Sequence, residues 1–482
     1  MSGIVPEQPR AAAGNGAPEQ AEAVARTVAL ARRGDAHVEV APDGSALELC
    51  VTAALHAEPR QALSALFESL RERSARENVR ALGIDHGFRL EDAAAMVLGV
   101  PGDLEAGPLQ AWLARRLSPG TAVATVATPG PLVLAAALRS RLGFAPERTR
   151  YARDAQGRVR VEAFELHAAE HCNLRCANCC NMSPLVGKRF LRVAEVRSIC
   201  AALAPALHAD VVKIMGGEPL LHPDVAGVIH ALRDSGIGDR VRLFTNGLLL
   251  HRMPEAFWEA LDELTISDYR SAPVPRATLE MTRARSLRHD FVLNIKPVGE
   301  FSQVLSPAFQ GDDARVADTY RRCWLRHRCL VVRRGRFYMC TRAAYADDFL
   351  ATVEHQPLPP GVVLDRSGDG VPIALEADAA RGDADTDTDT DTDADADAAD
   401  SHGCSAAAAL AIDAGGALRD RRGAQVDAPD LGARLVAYLD RTEPLGACSY
   451  CFGGDGAVEP HYQLTKADVA AGKLSRRLTV MP

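Results

Sequence analysis

No apolar run in the 482-residue chain reaches the roughly 18 residues that a membrane-spanning helix needs. The opening residues, MSGIVPEQPRAAAGNGAPEQ, lack the basic start and apolar centre of an export leader. The expectation is therefore a cytoplasmic chain with no membrane partner. No stripe of Lys and Arg interleaved with aromatics stands out, and aromatics make up only 5% of the residues, so nucleic acid is not an expected partner either. The net charge of −8 would suggest an acidic protein, but residues 383–400 (DADTDTDTDTDADADAAD) alone carry nine Asp and no base. The remainder is close to neutral, and glycine and proline are not arranged with a collagen-like period.

What is present is length, a core and cysteine. The chain is long enough for roughly three domains, and 47% hydrophobic against 24% charged residues permits a large interior. Residues 1–20 read as a disordered start. Residues 21–158 mix strand-like segments (His37–Val40, Ala46–Thr52, Val79–Gly83, Ala122–Ala127) with helical ones (Gln61–Glu72, Leu132–Leu142), which makes an N-terminal α/β domain of unassigned role. Residues 132–144 are faintly similar to the last helix and turn of N-acetyltransferases, but that family's glycine-bearing pyrophosphate loop is not visible upstream, so acetyl transfer is not expected.

From residue 159 to about 315 the rhythm is strand, loop, helix, with short connections, the pattern of parallel βα units. Strands are expected at Val161–Leu166, Asp210–Met215, Arg240–Thr245, Glu263–Ser267 and Phe291–Ile295. Val196, Ile199, Cys200 and Leu203 recur at helical spacing, as do Val225, Val228, Ile229 and Leu232, so each set should pack one helix face on the sheet. The fold class expected is α/β, a partial parallel (β/α)6-type barrel between the N-terminal α/β domain and a C-terminal extension over 316–482. That extension contains a flexible Asp/Thr/Ala-rich insertion, about 376–403, whose composition cannot bury a core. Barrels of this kind place their chemistry at the carboxyl ends of the strands.

Twelve cysteines are clustered, which in a reducing compartment points to metal or redox chemistry. Directly after the first expected strand come Cys172, Cys176 and Cys179, a C-x3-C-x2-C triplet. Three thiolates on one loop can hold three irons of a [4Fe–4S] cube and leave the fourth open to a small molecule. A structural zinc would want a fourth protein ligand, and none follows at finger-like spacing. Cys180 is adjacent, but neighbouring positions rarely aim both sulfurs at one centre.

At this loop the chain resembles the radical S-adenosylmethionine (SAM) superfamily, over roughly residues 160–300. Gly216, Gly217, Glu218 and Pro219 after the second expected strand are similar to the family's GGEP segment, which contacts the methionyl amino group. Glycines let backbone approach a ligand, and a carboxylate can hold an ammonium. Thr245 and Asn246, before Gly247, and Ser267 and Asp268, before Tyr269, resemble family segments near the SAM methionine and ribose. Helix capping and turn formation are the ordinary alternatives for those four. Leu221-His222-Pro223-Asp224 reads as a helix entry with Pro in the first turn. One departure is Asn178, where the family usually carries an aromatic beside the adenine. The resemblance implies one-electron reductive cleavage of SAM at the open iron, a 5′-deoxyadenosyl radical, and hydrogen-atom abstraction from a substrate.

A second group comprises Cys323, Cys329, Cys340, Cys448 and Cys451. Eleven residues separate Cys323 from Gly335 and four more lead to Cys340, a spacing similar to the C-x(9–15)-G-x4-C element of SPASM and twitch extensions. With the Cys448–Cys451 pair this implies one auxiliary [4Fe–4S] cluster in a twitch-like extension. Cys329 could replace Cys323 or add a ligand, Cys404 stands without a partner, and zinc stays open as the occupant. Cys50 and Cys200 fall in apolar runs and read as buried bystanders. Tyr269, Arg270, Lys296, Arg342 and His461 are polar positions that could meet substrate. The expected substrate is a polar small molecule such as a sugar or aminocyclitol-like metabolite, with a ribosomally made peptide as the alternative and a non-catalytic iron–sulfur or zinc scaffold as a third. A reductant such as flavodoxin or ferredoxin is the implied partner.

Overall fold

A computed structural model describes residues 17–42, 44–53, 58–82, 90, 93–102, 104–117, 121–139, 151–323, 325–353, 358, 366–373, 411–412, 418–419, 430–454 and 456–476. The acidic repeat and Cys404 lie outside these residues. The chain divides into two compact units, 1–148 and 149–482. Among the described residues no helix is long and apolar enough to cross a membrane.

In the first unit, helix α1 (Ala17–Arg33) begins inside the stretch expected to be disordered. Strands β1 (His37–Val40) and β2 (Ala46–Ala53), helix α2 (Pro59–Leu82), strand β3 (Ala93–Pro101), helix α3 (Ala106–Ala114), and strands β4 (Ala122–Thr128) and β5 (Leu132–Arg139) follow. The sheet order is β1-β2-β5-β3-β4, parallel only between β3 and β4. Leu63, Leu66 and Phe67 of α2 and Leu109 and Trp112 of α3 share a core with Leu47, Leu98 and Leu134. On the other face Leu30 and Ala31 of α1 join Cys50, Val97 and Val133. Cys50 is thus a core residue, its thiol pushed up to about 11, chiefly by burial.

Besides the early start of α1, two expectations fail in this unit. Leu132–Leu142 reads as a helix because it is rich in Ala and Leu, yet β5 is buried on both faces. A strand covered on both sides loses its polar alternation, and periodicity then cannot separate it from a buried helix. Ala93–Pro101, buried almost throughout, lacks a strand signature for the same reason. Val79–Gly83 was expected as a strand, but residues 79–82 complete α2.

The second unit opens with short β6 (Ala152–Arg153), then β7 (Val159–Ala169), α4 (Val193–Leu203), β8 (Leu207–Gly216), α5 (Val225–Asp234), β9 (Val241–Thr245), α6 (Glu255–Ala260), β10 (Glu263–Tyr269), α7 (Arg276–His289), β11 (Val292–Val298) and β12 (Glu300–Ser302). All five expected strands and both expected helices are present, with Val196, Ile199, Cys200 and Leu203 and Val225, Val228, Ile229 and Leu232 buried. Helix α8 (Asp313–Arg322) leads to the hairpin β13 (Val331–Arg333) and β14 (Arg336–Tyr338), α9 (Thr341–Ala344), α10 (Ala346–Thr352) and β15 (Val371–Pro372). Arg334 and Gly335, with φ of 47° and 68°, form the tight hairpin turn, where positive φ matches the twist of the paired strands.

The sheet order is β11-β10-β9-β8-β7-β13-β14-β15. Strand β13 runs parallel to β7, with Val331 opposite Glu165. Six parallel strands therefore form an open sheet, and the sixth comes from the cysteine hairpin, beside the first strand rather than after the fifth. Phe164, Leu166, Val212, Ile214, Leu243, Leu264 and Ile266 face the helices in one core. Alternation turns the intervening residues to the opposite face. There Glu165, Lys213, Arg242 and Glu263 stand in register across β7 to β10. Lys213 lies 3.8 Å from Glu165 and Arg240 pairs with Glu263 at 2.7 Å.

Candidate functional site

The cysteine triplet occupies the loop that leaves β7. Its backbone is held by the end of β8: Gly217 N–H donates to Ala169 O at 2.6 Å and Glu218 N–H to His171 O at 3.0 Å. A Cβ on Gly216 would lie 2.0 Å from Ala169 O, and one on Gly217 2.0 Å from His171 O. Both glycines are therefore required where the two strand ends touch, a protein–protein contact distinct from the ligand approach that sequence reasoning assigned them. Burial, then the charge of Glu218 and of the other two thiols, pushes the Cys172 thiol up; burial and Cys179 push Cys176 up to about 12. Three thiols that act on one another from one loop suit a shared polynuclear centre whose metal charge offsets their desolvation.

Glu218 is 1% exposed. Its Oε1 accepts from Leu220 N–H at 3.0 Å and from the Thr245 hydroxyl at 2.7 Å, and its Oε2 from Asn246 N–H at 2.8 Å. Burial nevertheless raises its carboxyl to about 7 against these three donors. Asn246 in turn donates Nδ2 to Asn173 Oδ1 at 2.7 Å, beside Cys172. Gly216, Gly217, Glu218, Thr245 and Asn246 thus form one network with the cysteine loop. Ser267 and Asp268 stand at the end of β10. Asp268 Oδ1 accepts from Val274 N–H at 2.9 Å, which is a turn contact. Tyr269, raised by burial, has Cys176, Cys179 and Cys172 as electrostatic neighbours and stacks on His461 at 4.6 Å. His222 accepts from Asp224 N–H, and Asp224 caps α5, so this segment is the expected helix entry, with Pro223 ahead of the cap rather than in the first turn.

Cys323, Cys340, Cys448 and Cys451 line one cavity with Tyr320 and Arg342. Cys329 is not among its lining residues. Residues 328–330 are drawn to the sheet instead, by Glu165 N–H on Leu330 O at 2.7 Å and Lys213 Nζ on Arg328 O at 3.4 Å. Of the two candidates left open by spacing, Cys323 faces the other three thiols. Arg342, a candidate substrate contact, is buried and donates to Cys451 Sγ at 3.4 Å and Gly453 O at 2.5 Å. Burial alone would lower its pKa, and the neighbouring Cys451, Cys340 and Cys323 outweigh it and raise it. A buried guanidinium opposite thiols is tolerable when those thiols are ionised, which metal binding brings about. Among the described residues no group of three or more His, Cys, Asp or Glu side chains is placed to hold a metal ion.

The last described segment, residues 456–476, also reaches the cysteine loop, a contact that sequence reasoning did not find apart from naming His461. Asn178, with a φ of 56°, donates Nδ2 to Glu459 Oε2 at 2.9 Å. The position where an aromatic was expected is therefore a tethered amide, in a left-handed conformation that Asn tolerates.

Residues 168–268 match the family model described as the Radical SAM superfamily. Over 108 residues the chain is 33% identical to the GTP 3′,8-cyclase of Chlorobaculum tepidum, covering 22% of this chain and 32% of that protein. Over 108 residues it is 32% identical to the probable GTP 3′,8-cyclase of Pyrococcus abyssi, covering 22% and 34%. The chain thus spans about a third of the length of the curated relatives it matches. Among solved structures, BtrN in complex with AdoMet and 2-DOIA aligns at 14% identity and a TM-score of 0.27, over 38% of this chain and 73% of that one. SuiB of Streptococcus suis bound to S-adenosylmethionine aligns at 15% identity and a TM-score of 0.23, over 28% and 33%. The thiol triplet, the Gly216–Glu218 segment locked against it and the match over 168–268 identify this part of the chain as a radical SAM domain.

Proposed function

We propose that the protein is a radical SAM enzyme acting on a polar small molecule of the sugar or aminocyclitol class. Cys172, Cys176 and Cys179 hold a [4Fe–4S] cluster, and Cys323, Cys340, Cys448 and Cys451 hold an auxiliary one. When bound, the cluster would supply one electron, received from a flavodoxin- or ferredoxin-type donor, for cleavage of SAM to methionine and the 5′-deoxyadenosyl group, and so the means of taking a hydrogen atom from the substrate. The protein's part is to bind, orient and exclude water. Glu218 keeps an acceptor position on Oε2 for the SAM ammonium, while Thr245 and Asn246 fix its carboxylate.

The observation that carries this reading is the placement of the three thiols and Glu218 at the carboxyl ends of strands whose face away from the helices bears buried and half-buried charged and polar residues in register. Besides Glu165, Lys213, Arg242 and Glu263, that face presents His167 opposite Met215 and Thr265 opposite Asn294. Such a wall suits hydroxyl and amine groups better than an apolar ligand.

Anaerobic reconstitution tests the reading. About eight irons per chain, together with 5′-deoxyadenosine formed from SAM under reducing conditions, would support it. One or two zincs with intact SAM would overturn it in favour of a scaffold.

A further inference from the structure

The segment around Gln463 lies on the cysteine loop as a short antiparallel strand would. Cys176 and Gln463 form a bridge pair, Leu464 N–H donates to Arg175 O at 2.7 Å, Ala177 N–H to Tyr462 O at 3.1 Å and Asn178 N–H to Leu474 O at 2.8 Å. Within this clasp the Gln463 amide is aimed without ambiguity. Its oxygen must accept from Arg175 N–H, 2.6 Å away, so its nitrogen faces Cys176 Sγ at 3.3 Å and Ser271 Oγ at 3.1 Å. Glu459 anchors the segment, receiving Asn178 Nδ2 at 2.9 Å and Ser475 Oγ at 3.1 Å.

We infer that Gln463 is a positioning residue that sets the reduction potential of the cluster on Cys172, Cys176 and Cys179 through its N–H···S hydrogen bond to Cys176. The inference rests on those cysteines holding the cluster. Reduction adds an electron to an already anionic cluster, and a donor aimed at a ligating sulfur stabilises the more negative state, so the bond raises the potential. Chain more than 280 residues beyond Cys176 thereby gains a direct hold on how readily the centre accepts its electron.

The test uses the full chain, reconstituted anaerobically, in a redox titration followed by electron paramagnetic resonance with and without SAM. Gln463→Glu keeps the acceptor for Arg175 and loses the donor to Cys176; Gln463→Leu loses both. For Gln463→Leu the reduced-to-oxidised ratio of the SAM-responsive signal at a fixed poise should fall about tenfold, the worth of one hydrogen bond. Gln463→Glu should fall further, with iron per chain unchanged in both. An unchanged ratio, or loss of the triplet's iron in both variants, would overturn the inference, the second by showing that Gln463 only holds the loop. The unsubstituted chain run alongside separates the two levels, since absence of any SAM-responsive signal there would sink the cluster assignment itself.

Discussion

Thr245 donates its hydroxyl hydrogen to Glu218 at 2.7 Å, joining the carboxyl ends of β9 and β8 beside the cysteine loop. Glu218 ties the two strand ends to each other, and in the proposed function it is also the group that meets the SAM ammonium. In Glu218→Gln the amide nitrogen must face at least one of the three donors that now meet the carboxylate, leaving that donor unsatisfied in a buried place. The expected cost is about 1–3 kcal/mol of stability, together with weaker SAM binding and unaltered iron content. Chemical denaturation and equilibrium dialysis with SAM check the two parts separately, and a large loss of iron would show that the residue's role lies in the cluster.

The same carboxyl makes stability depend on pH. Burial raises Glu218 from 4.5 to about 7, so in the folded chain it holds a proton that the unfolded chain releases. Between pH 4.5 and 7 the folded state binds more protons, and stability falls as pH rises. Its contribution is fully present below pH 4.5 and is lost as pH passes through about 7, on the order of 3 kcal/mol in all. Gln at this position does not titrate. The stability gap between the protein and Glu218→Gln should accordingly narrow from pH 5 to pH 8 in urea titrations; a constant gap would show that the carboxyl is ionised throughout.

Much of this site was legible in the residues themselves because its parts are local. The C-x3-C-x2-C loop, the Gly216–Glu218 segment, Thr245-Asn246 and the parallel βα rhythm each occupy a few consecutive positions. What stayed hidden depends on chain meeting chain. The parallel seat of β13 beside β7 has no periodic signature, nor does the approach of Gln463 to Cys176. The glycines could be picked out, but that their missing side chains make room for Ala169 O and His171 O is a fact of register. The misread strand β5 failed for a different reason, since Leu132–Leu138 is buried throughout and carries no polar beat.

The auxiliary ligand set can be decided by iron counting. Cys340 lines the four-thiol cavity and Cys329 does not. Cys340→Ala should remove about four irons per chain, one cubane's worth, and leave the SAM-responsive signal intact. Cys329→Ala should leave total iron unchanged. The reverse outcome would return Cys329 to the ligand set.

Gly217 permits no side chain, because a Cβ there would stand 2.0 Å from the carbonyl oxygen of His171, immediately before Cys172. Gly217→Ala must push the cysteine loop away from β8. The shift acts on backbone rather than on a flexible side-chain tip, so no cheap relaxation exists. The expected result is a loss of at least about 2 kcal/mol together with reduced iron retention during gel filtration. Gly187→Ala, where a Cβ meets nothing within 4 Å, is the matched control and should retain both.

The hairpin that completes the parallel sheet is pinned just ahead of the same loop. Arg333 places Nη2 2.7 Å and Nε 3.1 Å from the two oxygens of Glu170, and its Nη1 reaches Asp348 at 2.6 Å and Ala344 O at 2.7 Å. Burial alone would raise the Glu170 carboxyl, but Arg333 and then Arg334 hold it below the ordinary range. The side chains of Arg333 and Glu170 are 4% and 6% exposed, whereas Arg334, which also reaches both Glu170 oxygens at 2.9 and 3.4 Å, is 44% exposed and is the more solvated of the two partners. Arg333→Met removes the buried guanidinium and leaves the Glu170 carboxylate to the more exposed Arg334 alone, at an expected cost of about 1.5–3 kcal/mol, the worth of a hydrogen bond to a charged group. Adding Glu170→Gln to it should recover part of that loss, because the less well compensated charge goes with it. A double-mutant cycle in urea measures both. If Arg333→Met alone were nearly neutral, the pair would not be the bond that fixes β13 to β7, and the cluster loop would owe its position to the Gly217 contact instead.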